Sequence, residues 1–164
     1  VNGKEIIPIV YEGVVRSRYS ELSVAWIGGK YGYLSRTKIE IPLIYDDARS
    51  IGSSHLAVAQ KNGKWGVLTE AGEEVLPFMY DDIGLPGESA IPVCKVDKWG
   101  CSDLHNNVII PFEYDHLSVI ERLSDYGFLA CKDGKWGCLD QYGNVIIEFS
   151  YDNSPSAYGA YWNL

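Results

Sequence analysis

The chain has 164 residues, 46% of them hydrophobic, and 14 Lys and Arg stand against 22 Asp and Glu for a net charge of −8. That balance argues against nucleic acid as the natural partner, because phosphate binding needs clustered cationic side chains, and it suits a basic protein partner steered in by charge. No apolar run reaches the ~20 residues of a membrane span, while 17 Gly and 12 Tyr beside a single Met point to many short strands and turns.

The first residues, Val1-Asn2-Gly3-Lys4-Glu5-Ile6-Ile7-Pro8, begin in the middle of a pattern that the rest of the chain repeats. Such a start suits a fragment, a processed form or a degenerate first copy. From Lys30 the pattern is plain: Lys30-Tyr31-Gly32, Lys64-Trp65-Gly66, Lys98-Trp99-Gly100 and Lys135-Trp136-Gly137 recur at 34, 34 and 37 residues. A period of this size marks a repeat array. The units run approximately over 1–29 (partial), 30–63, 64–97, 98–134 and 135–164 of one domain spanning 1–164. A second phrase accompanies the first. Pro8, Pro42, Pro77 and Pro111 each precede a tyrosine by three residues (Tyr11, Tyr45, Tyr80, Tyr114), and Glu148 takes the proline's place before Tyr151. An acid follows every tyrosine: Glu12, Asp46, Asp81, Asp115 and Asp152.

Each unit reads as three short strands. Gly28-Gly29, Asn62-Gly63 and Asp133-Gly134 separate apolar runs and predict two-residue hairpins of type I′, which need φ > 0 at both central residues. Val96-Asp97 fits that turn poorly and predicts a different one. The hairpin register would pair Trp26 with Tyr31, Ala25 with Gly32, Gln60 with Trp65, Ala59 with Gly66, Cys131 with Trp136, Ala130 with Gly137 and Leu129 with Cys138. Glycine opposite alanine leaves a hollow in each hairpin. A large group from the neighbouring repeat is expected to fill it, with the phrase tyrosines as candidates. A third strand, such as Asn144-Val145-Ile146-Ile147, should follow a type I turn closed by a left-handed residue at Gly72, Asn106 or Gly143.

No pattern of catalytic residues emerges. His55, His105 and His116 have no ligand spacing, and Ser53-Ser54-His55 lacks the strand–turn–helix context of a nucleophile. Cys94, Cys101, Cys131 and Cys138 form two pairs seven apart but no C-x-x-C. They read as small buried core residues, and free thiols favour a reducing, cytoplasmic setting. The aspartates after each tyrosine are expected to close Asx-turns on the backbone N–H groups that follow. Asp47 and Asp82 beside them could form an acidic ladder along one side. The stretches after each Tyr-acid pair differ between copies (residues 13–21, 48–55, 83–89 and 117–126) and are the natural place for a binding surface. From these stretches and their neighbours, Asp47, Arg49, His55, Asp82, Glu88, His116, Arg122 and Tyr126 are the candidate partner-binding residues. No cofactor or metal is expected, and no enzyme activity.

Lys-Trp-Gly, a short strand, a turn, a Val-Ile-Ile-Pro strand and Tyr-Asp together resemble the bacterial WG-repeat (KWG) family. Lys64-Trp65-Gly66 through Tyr80-Asp81 is the closest copy, followed by Lys98-Trp99-Gly100 through Tyr114-Asp115. Tyr31, Glu12 and Glu148 depart from the pattern in the outer copies. The resemblance implies a β-repeat with no catalytic residues to carry over, acting in protein interaction. It also brings in members that look like immunity factors encoded beside toxins and others that look envelope-associated.

The expected fold is all-β: tandem three-stranded antiparallel units in an open, solenoid-like array, with a five-bladed β-propeller as the alternative closure. The expected role is a non-catalytic protein-binding module, in its most concrete form an immunity protein that occludes a basic toxin. The alternatives are a structural spacer or cell-envelope scaffold in a longer array, and a glycan-binding module using Tyr158, Tyr161 and Trp162.

Overall fold

The computed structural model describes residues 11–120 and 127–154. Among them there is no helix, so none long and apolar enough to cross a membrane. Sixteen strands form four antiparallel sheets of four strands each, every sheet a simple meander in chain order. The first sheet holds β1 (Gly13–Arg16), β2 (Ser23–Ile27), β3 (Lys30–Leu34) and β4 (Ile39–Tyr45). The second holds β5 (Asp47–Arg49), β6 (Leu56–Lys61), β7 (Lys64–Thr69) and β8 (Glu74–Tyr80). The third holds β9 (Asp82–Ile83), β10 (Ile91–Lys95), β11 (Lys98–Ser102) and β12 (Val108–Tyr114). The fourth holds β13 (His116–Ile120), β14 (Gly127–Lys132), β15 (Lys135–Leu139) and β16 (Val145–Tyr151).

The hairpins have the register that the turn chemistry dictates: Gln60 faces Trp65, Ala59 faces Gly66, and Cys131 faces Trp136. The expected three strands per unit become four. The stretch after each Tyr-acid pair starts a strand that pairs with the next hairpin, as where Asp47 faces Gln60 and His116 faces Cys131. These strands are two to five residues long, too short to carry a period of their own, so only pairing reveals them. Val96-Asp97 also departs from expectation. Both residues have positive φ (53° and 58°), as do Asn62-Gly63 and Asp133-Gly134. The ladder on either side imposes the type I′ turn on a β-branched residue that disfavours it. The closing turns match the reading, with Gly72, Asn106 and Gly143 left-handed after the bonds Gly72 N–H to Thr69 O, Asn106 N–H to Asp103 O and Gly143 N–H to Asp140 O.

The hollow at each glycine is filled from within its own sheet, not by the neighbouring repeat. Between the pairs Trp65–Tyr80 and Val67–Leu76 the last strand carries three residues against one. This bulge folds Phe78 over Gly66, where a Cβ would lie 2.8 Å from the ring and 3.0 Å from Leu76 O. Pro77 stands in the same bulge of an edge strand, where its missing N–H breaks no ladder bond. The phrase tyrosines act one step further out. Tyr45 stacks on Phe78 of the next sheet at 5.5 Å between centroids and Tyr80 on Phe112 at 6.5 Å, while Tyr114 meets Phe149 at 5.8 Å with the rings tilted.

Three hydrophobic clusters lie between consecutive sheets. Tyr33, Ile41 and Tyr45 meet Ala57, Ala59 and Leu68; Trp65, Val67 and Tyr80 meet Ile83, Ile91 and Val93; Ile110 and Tyr114 meet Leu117, Phe128 and Leu139. Each sheet packs against its successor, and none closes into a barrel. The array is the open one.

Candidate functional site

One residue separates the last strand of each sheet from the first strand of the next, and that residue is the acid of the Tyr-acid phrase. Its backbone N–H donates into the following hairpin: Glu12 to Trp26 O, Asp46 to Gln60 O, Asp81 to Cys94 O and Asp115 to Cys131 O. Its carboxylate then works in two directions. Backwards it accepts from the lysine of its own sheet, with Lys30 Nζ on Asp46 at 2.7 Å, Lys98 Nζ on Asp115 at 2.6 Å, and Lys64 and Lys135 likewise on Asp81 and Asp152. Forwards it accepts from the turn of the next hairpin: Gly28 N–H on Glu12 at 3.1 Å, Val96 N–H on Asp81 at 2.7 Å and Gly134 N–H on Asp115 at 3.1 Å. The expected local Asx-turn is thus replaced by a staple between sheets. The lysine contacts hold Asp46, Asp81, Asp115 and Asp152 below the usual carboxylate range.

The residue after the corner opens a row that crosses the sheet. Asp47, Gln60, Trp65 and Tyr80 form one such row, and His116, Cys131, Trp136 and Tyr151 another. At the seam between the second and third sheets the Arg49 guanidinium lies 4.1 Å from the Trp65 ring centroid. Its two amino groups donate to Asp82 Oδ1 at 2.6 Å and to Ile83 O. At the next seam His116 sits between Trp99 and Trp136, its ring 6.2 and 5.3 Å from theirs. One edge reaches solvent, but hydration lost to the indoles pulls its pKa down. The four cysteines are buried free thiols. Burial raises the pKa of each, Cys101 to about 12, which favours the thiol form.

The variable segments meet one another along one side. Ser17 Oγ donates to Ile51 O at 2.7 Å, joining the first loop to the second. Gly52 lies against Leu85 of the third, and Gly87 of the third against Val119 of β13. On this line of loops Tyr19 is 58% exposed and Leu85 64% exposed.

The model of the WG containing repeat matches residues 38–65, 65–99, 99–136 and 136–155 in unbroken succession. The chain belongs to that family. A comparison with curated proteins finds no match. The first match begins at Lys38 and the next three each begin at a tryptophan, whereas the sheet begins just after the corner acid. The family unit is therefore half of one sheet and half of the next, locked together by the Tyr-acid corner.

The predicted site residues of this WG-repeat chain do not converge. Arg49 and Asp82 meet at one seam and His116 occupies another. Asp47 Oδ1 accepts from Ala48 N–H at 2.8 Å, and Asp82 Oδ1 accepts from Ile83 N–H at 2.8 Å as well as from Arg49. His55, with φ +56°, lies 3.2 Å from Glu70 Oε1. Glu88 sits at the tip closed by Gly87 N–H on Ala90 O. Arg122 and Tyr126 lie outside the described residues, as do Tyr158, Tyr161 and Trp162. Tyr19 belongs to the first of the variable segments, and Leu85 is the loop residue that a charge-based reading passes over. Its signal was available as a large apolar side chain within a segment that does not repeat.

Proposed function

We propose that this WG-repeat chain is a non-catalytic protein-binding module that works through the edge formed by its loops. The observation that carries this reading is the contact of each variable loop with the next, which turns separate segments into one surface holding exposed Tyr19 and Leu85. Tyrosine is enriched among the side chains that anchor protein interfaces, and Leu85 adds exposed apolar area on the same line of loops. The net charge of −8 favours a basic partner, and its most concrete form is a toxin occluded by an immunity protein. Buried, high-pKa thiols suit a cytoplasmic setting. The corner staple repeated from sheet to sheet favours a second reading, a spacer within a longer array.

Affinity capture from the native host with wild type and with the Tyr19→Ala/Leu85→Ser variant separates the two. A binding module loses its partner at least tenfold in the variant while its thermal midpoint stays the same. Identical captured material from both proteins would overturn the loop-edge reading and leave the spacer.

A further inference from the structure

The pairing of β1, β2 and β3 puts Arg16, Ser23 and Leu34 in one row across the first sheet, with Val14, Ala25 and Gly32 in the next row on the same face. Val24 and Tyr33 alternate with them and point into the cluster shared with the second sheet, so the Arg16 row lies on the face turned away from that sheet. The corresponding row of the fourth sheet is Val119, Phe128 and Leu139, packed against the sheet before it. A guanidinium and a hydroxyl thus stand where the internal copy has a valine and a phenylalanine.

This face carries a groove of about 490 Å³ that also takes in Glu21 and Arg36, a size suited to a small organic ligand. Its floor is Leu34, 8% exposed, and its wall Val14, 47% exposed. The corner lysines are all paired, as are Lys38, Arg49 and Lys132. Among the described residues neither Arg16 nor Arg36 makes an ion pair or a side-chain hydrogen bond. Among the described residues Arg18, Lys61 and Lys95 likewise make no ion pair; what sets Arg16 and Arg36 apart is that both line the same groove, in a chain with eight more acidic than basic residues.

We propose that the groove binds an oxyanion, carboxylate or phosphate, carried on a short apolar stem. Arg16 and Arg36 take the oxyanion through the paired N–H groups that suit its geometry, and the stem lies on Leu34 and Val14. Glu21 in the same groove selects against ligands with several negative charges. The site stands apart from the loop edge and does not depend on it.

Titration of the whole chain with hexanoate, hexyl phosphate and hexanol, followed by amide chemical shifts, tests this. Saturable shifts confined to residues 13–36 with either anion and absent with hexanol support the site, and the anion that saturates names the headgroup. The R16Q/R36Q variant should bind at least tenfold more weakly with an unchanged thermal midpoint. If that variant loses its fold, Arg36→Gln alone, in the exposed turn, carries the same test. Failure of both anions to saturate, equal shifts from hexanol, or undiminished binding by the folded variant would overturn the proposal.

Discussion

Trp65 is held from two directions. Ile83, Ile91 and Val93 of the next sheet close on it from one side, and the Arg49 guanidinium covers its ring from the other. At 7% exposure, Trp65→Ala should cost about 3–5 kcal/mol, read from the shift of a denaturant midpoint. Trp136 is half-buried and the same substitution there should cost clearly less. A loss below about 1 kcal/mol at Trp65 would contradict its place in the seam. Tyr33 is the other residue that spans a seam. Its ring is fully buried, and its hydroxyl hydrogen is shared between Arg49 O and Val58 O, both at 2.8 Å. Tyr33→Phe should cost about 1–3 kcal/mol, because two carbonyls of the second sheet lose their donor without gaining water. Ser54 gives the opposite expectation. Its buried hydroxyl has no partner among the described residues, so Ser54→Ala should leave stability unchanged or raise it.

At the scale of the element, the hairpin is the unit whose local chemistry and final geometry agree most closely. The exception is its third copy. Val96 is 79% exposed with φ +53°, so it gains little from packing and bears the strain of the left-handed region. Val96→Asn keeps the backbone N–H that donates to Asp81 and should stabilise the chain by about 1 kcal/mol, since asparagine tolerates that region. Equilibrium unfolding with an unchanged m-value is the measurement, and destabilisation would mean that the strain is not in the turn. The first strands show how far sequence reading reaches at this scale. Asp82–Ile83 is two residues and Asp47–Arg49 three, so no alternation can announce them. They exist because the corner delivers them to the edge of a formed hairpin.

At the scale of the whole molecule, the corner staples couple stability to pH. Asp46, Asp81, Asp115 and Asp152 have folded pKa values below their unfolded ones. Their contribution is therefore present above the ordinary carboxylate value near 4 and is lost as pH falls through the depressed values. His116 is lowered as well. Between its folded value and the ordinary imidazole value near 6.5 the unfolded chain binds more protons, so stability rises with pH there too. The thermal midpoint should fall in two steps on acidification, first below about pH 6.5 and again below about pH 4. His116→Gln should remove the first step, and Asp81→Asn should shallow the second. Each pair is half in solvent and individually weak, so the effect lies in their repetition.

Sequence alone determined the repeat, the type of element, the hairpin registers and the left-handed closing turns, because each depends on residues a few positions apart. Asn-Gly or Asp-Gly needs no distant partner to turn a chain. Tertiary structure decided the fourth strand, the true occupant of the glycine hollow and the fate of the candidate site. Arg49 and Asp82, 33 residues apart, meet only because one sheet lies on another. That meeting makes them a clamp between modules, whereas Arg16 and Arg36 lie on the face of the first sheet turned away from the second, with no ion pair among the described residues.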